Sequence, residues 1–189
     1  MEFYFVVLFF HISGAFVLFM GMSLEWVGIT RLNNSVNTVQ AGEWVKFLSQ
    51  VKFAYISGGF LLFITGIYMA AEKWGWKAWI IVSFILWLFL VVHGSSAIGG
   101  KVKKFGQFLN SAANISKQEL NAQASKMKLM NLLQSRLAVA LGAVFIMTVK
   151  PALVGSVVVV IVAVILGIAP MFFKKNPTSP KLAEADRKN

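Results

Sequence analysis

The chain contains no cysteine, which excludes disulfides, thiolate metal sites, iron–sulfur clusters and thiol nucleophiles. Charge is scarce as well: Asp, Glu, Lys and Arg make up 13% of the 189 residues, against about 25% in an ordinary soluble domain. Acidic residues are the rarest of these, seven against eighteen basic ones, and histidine occurs only as His11 and His93. No Walker loop, G-x-S-x-G elbow, H-E-x-x-H helix or pair of carboxylates inside an apolar run is present. ATP-driven transport and hydrolysis by those routes therefore lack their residues, and redox chemistry would have to come from a bound cofactor.

What is abundant is apolar surface. The chain is 58% hydrophobic, with a mean hydropathy of +0.72. Uncharged runs cover residues 3–24, 53–71, 78–100 and 152–173, each close to the roughly 20 residues that a helix needs to cross a bilayer. A soluble globule is excluded, and a polytopic membrane protein is expected. The opening Met1-Glu2-Phe3 is acidic, and the run behind it exceeds the short core of a signal peptide, so it reads as a retained first span.

Residues 137–173 would measure about 55 Å as one helix, nearly twice the hydrocarbon thickness. Lys150-Pro151 interrupts them, so they are two elements. The first reaches spanning length by starting near Met130, with Arg136 and Lys150 expected to snorkel toward opposite interfaces. The alternative is a re-entrant half-helix that leaves four spans. With five spans and the N-terminus outside, Lys73, Lys77 and Lys150 are the only basic residues outside, and the other fifteen lie inside, as the positive-inside rule requires.

The expectation is thus an all-α bundle of five spans, N-out and C-in, at about 3–29, 53–72, 76–100, 130–149 and 152–173. It forms a single domain over 1–175 in a bacterial inner (plasma) membrane, with a basic cytoplasmic loop at 101–130 and a disordered tail at 176–189. Trp74, Trp76 and Trp79 cluster at the outer edge and Trp26 at the inner edge, as interfacial belts do. Trp87 falls in mid-span, where its indole N–H wants a partner.

The net charge of +11 follows topology, not a nucleic-acid reading motif, so no nucleic acid is expected. Lys101-Val-Lys-Lys104 stands just beyond a span, where it attracts anionic lipid. Ser116-Lys-Gln-Glu119 has the capping-box pattern, and apolar residues from Leu120 to Leu137 recur at helical spacing. They predict a cytoplasmic helix running unbroken into the fourth span. Residues 39–51 should lie at the inner surface or extend the second span inward.

Ionisable residues inside spans are expensive and each is a functional candidate. His11 and His93 lie in spans and Glu25 ends the first apolar face, and Lys150, the sole charge of the outer turn before Pro151, is a further candidate. Gly14, Leu18, Gly21 and Glu25 follow His11 at steps of three and four, on one helical face. A membrane histidine can ligate haem or metal, carry a proton, or simply bond a neighbouring helix, the last being the ordinary case. By helical rise the two histidines are offset by roughly 10 Å in depth, so each is expected to have its own partner. Scattered methionines read as packing and no metal site is expected. Gly58, Gly59, Gly66, Ala163 and Gly167 have helix-contact spacing and suit packing, a homo-oligomer or a membrane-protein partner.

Phe9-Phe10-His11-Ile12-Ser13-Gly14-Ala15, Gly59-Phe-Leu-Leu-Phe-Ile-Thr-Gly66, and Leu90-Val-Val-His93-Gly94 leading to Gly100-Lys-Val-Lys-Lys104 carry a resemblance. Over about residues 5–105 the chain is similar to a small bacterial integral-membrane family of unknown function. That family is related to copper-resistance-D-like domains and to HemJ-type protoporphyrinogen oxidases. The resemblance implies membrane topology first. In the HemJ-type enzymes it implies haem b and porphyrinogen oxidation, with His11 as the matched ligand candidate. The leading expectation is a multi-pass membrane protein of that uncharacterised family, whose biochemical role the residues do not name, with haem b held by His11 or His93 in a redox or porphyrin-related role as the cofactor to test. A non-enzymatic scaffold or assembly factor and a small-solute or metal permease are the competing ones.

Overall fold

The computed structural model describes residues 2–111 and 115–173. These form seven α-helices with no strand among the described residues: α1 (Glu2–Asn33), α2 (Thr38–Met69), α3 (Ala78–His93), α4 (Gly99–Ser111), α5 (Lys117–Lys126), α6 (Leu129–Val149) and α7 (Leu153–Phe173). A π-helical turn, Ala70–Trp74, extends α2, and another, Gly94–Ile98, joins α3 to α4. Five helices are long and apolar enough to cross a membrane, so the chain is an all-α bundle of five membrane-length helices. The expected tail at 176–189 lies outside the described residues.

The first two helices pair along a seam written in α1. Val7, His11, Gly14, Leu18, Gly21, Glu25, Gly28 and Leu32 alternate at steps of four and three, and all but His11 are buried. That is a heptad spacing, which keeps one face against a partner helix over its whole length. A glycine every seventh residue brings the backbones close. A Cβ on Gly58 would lie 2.8 Å from both the Gly14 carbonyl oxygen and the Leu18 nitrogen, and one on Gly21 would meet the Tyr55 backbone at 3.1 Å. Close approach of this kind replaces the hydrophobic driving force that lipid removes.

The α6–α7 hairpin forms around the Lys150-Pro151 break. Lys150 takes a left-handed conformation (φ 53°) and its N–H donates to the Ile146 carbonyl at 2.8 Å. The proline disfavours helix in the residue before it, so the chain reverses there. Gly142 faces Ala163, and Gly167 faces Ser135. Helix α6 touches α1, α3 and α7, which makes it the central element, and α3 lies against both members of the hairpin. The mid-span indole of Trp87 donates to the Gly59 carbonyl at 2.9 Å, so α3 is also tied to α2.

Two expectations about the basic side change. The segment 101–130 is largely helical, because α3 continues through its π turn into α4, and Ser116 opens α5 with a complete capping box to Glu119. Nor does α5 run unbroken into the fourth span. Lys128 stands in the left-handed region (φ 51°) between α5 and α6, and the Lys101 ammonium donates to the Met127 carbonyl at 2.8 Å. The break lets Leu120 and Ala124 turn into a cluster with Leu32, Leu48, Val102 and Phe105. α2 starts at Thr38 behind an Asn37 cap and carries residues 39–51 as a continuous extension of the second span. At 32 residues each, α1 and α2 are about 48 Å long, well beyond a 30 Å hydrocarbon slab. Their surplus length, with α4 and α5, builds a helical layer on one end of the membrane bundle.

Candidate functional site

Four elements converge on one ion pair. Arg136 on α6 donates from Nη1 to Oε2 of Glu25 on α1 at 2.6 Å, with the two side chains 1% and 3% exposed. The guanidinium carbon lies 4.8 Å from the centroid of the Tyr55 ring on α2. On the fourth side stands Gly94, where the π turn begins; a Cβ there would be 2.6 Å from Arg136 Nη2. A single π turn inside an α-helix often marks a functional position. Here it sets the backbone of α3 against a planar cation that has no room for a side chain.

Arg136 was expected to snorkel to an interface. It is buried instead, because Glu25 offers the opposite charge and Tyr55 and Gly94 close around the guanidinium. Two buried ions in a low-dielectric interior are tolerated only as a hydrogen-bonded pair. Arg136 Nε has no hydrogen-bond partner among the described residues. A groove of about 240 Å³ between α1 and α6, lined by Met22, Ser23, Trp26, Leu133 and Leu137, runs beside the pair. It is smaller than the usual ligand pocket of about 300–1,000 Å³.

His93 precedes Gly94 and shares the level of the ion pair. Its ring stacks on Phe89, centroids 5.1 Å apart, and its buried Nδ1 has no partner among the described residues. His11 is elsewhere. On the α1–α2 seam, its Nδ1 lies 2.9 Å from Thr65 Oγ1, and that hydroxyl donates to the Leu61 carbonyl at 2.6 Å. When the hydroxyl proton goes to the Leu61 carbonyl, the imidazole N–H is on Nδ1 and the lone pair is on Nε2. Gly66 lies beside the ring, where a Cβ would be 3.4 Å from His11 Cε1, an ordinary contact distance.

The two histidines are not brought together. Glu25 lies fourteen residues along α1 from His11, about 20 Å at helical rise, and Arg136 and Gly94 put His93 at the Glu25 level. One haem iron cannot take both. The donor chemistry at His11 does fit a haem iron: an accessory hydrogen bond that fixes the tautomer is what haem- and metal-binding histidines carry. His93 lacks that second partner. No group of three or more His, Cys, Asp or Glu suited to a metal ion occurs among the described residues.

Lys150, the remaining candidate, stands at the far end of the bundle from the ion pair. Its ammonium lies 4.6 Å from the Trp74 ring centroid, and the Trp74 indole donates to Tyr4 Oη at 3.1 Å. Sequence reasoning missed Thr65, Tyr55 and Gly94 as partners. The signal for one contact was present, since Glu25 and Arg136 are single opposite charges in separate apolar runs. The glycines that suited an oligomer face neighbours inside the chain: Gly58 meets α1, Gly59 meets Trp87 and Gly66 meets His11. No family model, curated protein or solved structure matches this chain, so its function is read from the residues themselves.

Proposed function

We propose that this multi-pass membrane protein binds haem b with His11 as an axial ligand, in a redox or porphyrin-related role. The observation that carries the reading is the relay from His11 Nδ1 through Thr65 Oγ1 to the Leu61 carbonyl. It holds the ring in one orientation and one tautomer, with Nε2 as the electron-pair donor. The resemblance of residues 5–105 to the HemJ-type group supports the same histidine. Haem b held there supplies reversible one-electron chemistry. His11 binds it, and Thr65 orients the imidazole.

The proposed setting is a bacterial plasma membrane with the N-terminus outside and α4 and α5 in the cytoplasm, where their lysines meet anionic lipid. The test is a reduced-minus-oxidised visible spectrum of the protein purified after expression with haem supplied. A Soret band with sharpened α and β bands, lost in His11→Ala and kept in His93→Ala, is the expected result. A flat spectrum from folded wild-type protein, or a band that survives His11→Ala, overturns the assignment.

A further inference from the structure

The end of the bundle opposite α4 and α5 gathers positive charge in a way that the topology alone does not require. Lys73 sits in the π turn after α2, Lys77 in the link to α3, and Lys150 in the turn between α6 and α7. Lys73 and Lys77 are four residues apart and flank Trp74, and Lys150 arrives from the distant turn between α6 and α7, so all three ammoniums converge on one indole. Lys150 Nζ is 4.6 Å, Lys77 Nζ 5.7 Å and Lys73 Nζ 6.0 Å from the Trp74 ring centroid, and Lys73 Nζ is also 4.6 Å from the Tyr4 ring. No two ammoniums can then be more than about 12 Å apart, a distance at which like charges at the rim of a low-dielectric slab repel.

Among the described residues no carboxylate pairs with them, although Glu2 and Glu72 stand at the same end. Glu25 with Arg136 is the one ion pair among the described residues, and none of the three lysines has a carboxylate within salt-bridge distance there. Glu72, next to Lys73, is exposed and unpaired among those residues. The floor beneath the charges is rigid. Trp74 is braced by its hydrogen bond to Tyr4 and by edge-on contact with Trp79, ring centroids 5.7 Å apart. Lys150 is held by a left-handed backbone before a proline. All three lysines are exposed, and they stand at the level of an aromatic belt, where lipid headgroups lie.

We propose that Lys73, Lys77 and Lys150, on the Trp74–Tyr4 floor, bind the phosphodiester headgroup of an anionic phospholipid in the leaflet at that end. Compact ammonium charges suit a phosphate as point charges, and the belt position places its acyl chains in the hydrocarbon below. The site is distinct from the lysines of α4, which face the other leaflet, and does not depend on haem.

The full-length protein is purified from phosphatidylcholine vesicles with and without phosphatidylglycerol, and retained lipid is counted by native mass spectrometry. The triple variant Lys73→Gln, Lys77→Gln, Lys150→Gln is expected to bind phosphatidylglycerol at least about tenfold more weakly. The triple Lys→Arg variant keeps the charge and should retain the lipid, as should Lys101→Gln, Lys103→Gln, Lys104→Gln at this site. Equal retention by the wild type and the Gln triple overturns the proposal. Displacement of the lipid by inorganic phosphate alone at millimolar concentration would assign the site to a free anion and overturn the lipid reading.

Discussion

Gly94 positions Arg136 by having no side chain. The guanidinium occupies the space that a Cβ would take, 2.6 Å from its Nη2, and this contact fixes where the cation meets Glu25. Gly94→Ala should therefore destabilise the bundle by about 1–3 kcal/mol through overpacking. Gly42→Ala, with no atom within 4 Å of the added methyl, should stabilise α2 by up to about 1 kcal/mol. Thermal unfolding of both in the same detergent decides it; shifts of equal sign would remove the steric explanation.

The Glu25–Arg136 pair holds α1 to α6 in the way that buried ions do, by making each charge depend on the other. Glu25→Gln or Arg136→Gln should each cost about 3–5 kcal/mol, because the remaining ion stays buried without its partner. A double variant, Glu25→Leu with Arg136→Met, should cost less than the two single changes together. A double-mutant cycle with no coupling would mean that the pair is incidental to the fold.

The α1–α2 seam is sensitive where the backbones touch. Gly58→Ala puts a methyl group 2.8 Å from the Gly14 carbonyl oxygen and should cost about 1–3 kcal/mol, whereas the same change at Gly100, which meets nothing within 4 Å, should be tolerated. Denaturation midpoints of the two variants are the readout.

Thr65 should matter to haem without touching it. Thr65→Val removes the oxygen that orients His11, and an accessory hydrogen bond of this kind is worth about 10–100-fold in affinity. Titration of haem into the folded apoprotein should show weaker binding by that factor. An unchanged affinity would show that the tautomer is not held by Thr65.

Orientation can be read directly, because a chain without native cysteine accepts single labels cleanly. Cysteine at Lys73 should react with a membrane-impermeant maleimide on intact cells, and cysteine at Lys104 only after the cells are broken. The reverse pattern would invert the proposed topology.

Much of the architecture was legible before the fold. Five spans followed from run lengths and from Lys150-Pro151, and the capping box at Ser116 and Glu119 from its spacing. The heptad face of α1 was visible from His11 to Glu25, since 3–4 periodicity survives in a membrane helix. The break at Lys128 was not, because a left-handed lysine leaves no compositional mark and the apolar pattern continues across it. Arg136 was misplaced for a related reason: whether a lone arginine snorkels or buries depends on which partners meet it, and Glu25, Tyr55 and Gly94 come from three other elements. The clustering of Lys73, Lys77 and Lys150 required knowing which turns end up side by side.

The ion pair also sets an order on how the protein is made. Glu25 and Arg136 are 111 residues apart, so at about 5–20 residues per second the carboxylate is synthesised some 6 to 20 s before its cation. During that interval the first helices enter the bilayer with an acid on their seam and no arginine to meet it. A chain that stops short of α6 keeps its Glu25 carboxyl group without a cation, and only the finished bundle buries it as one of a pair.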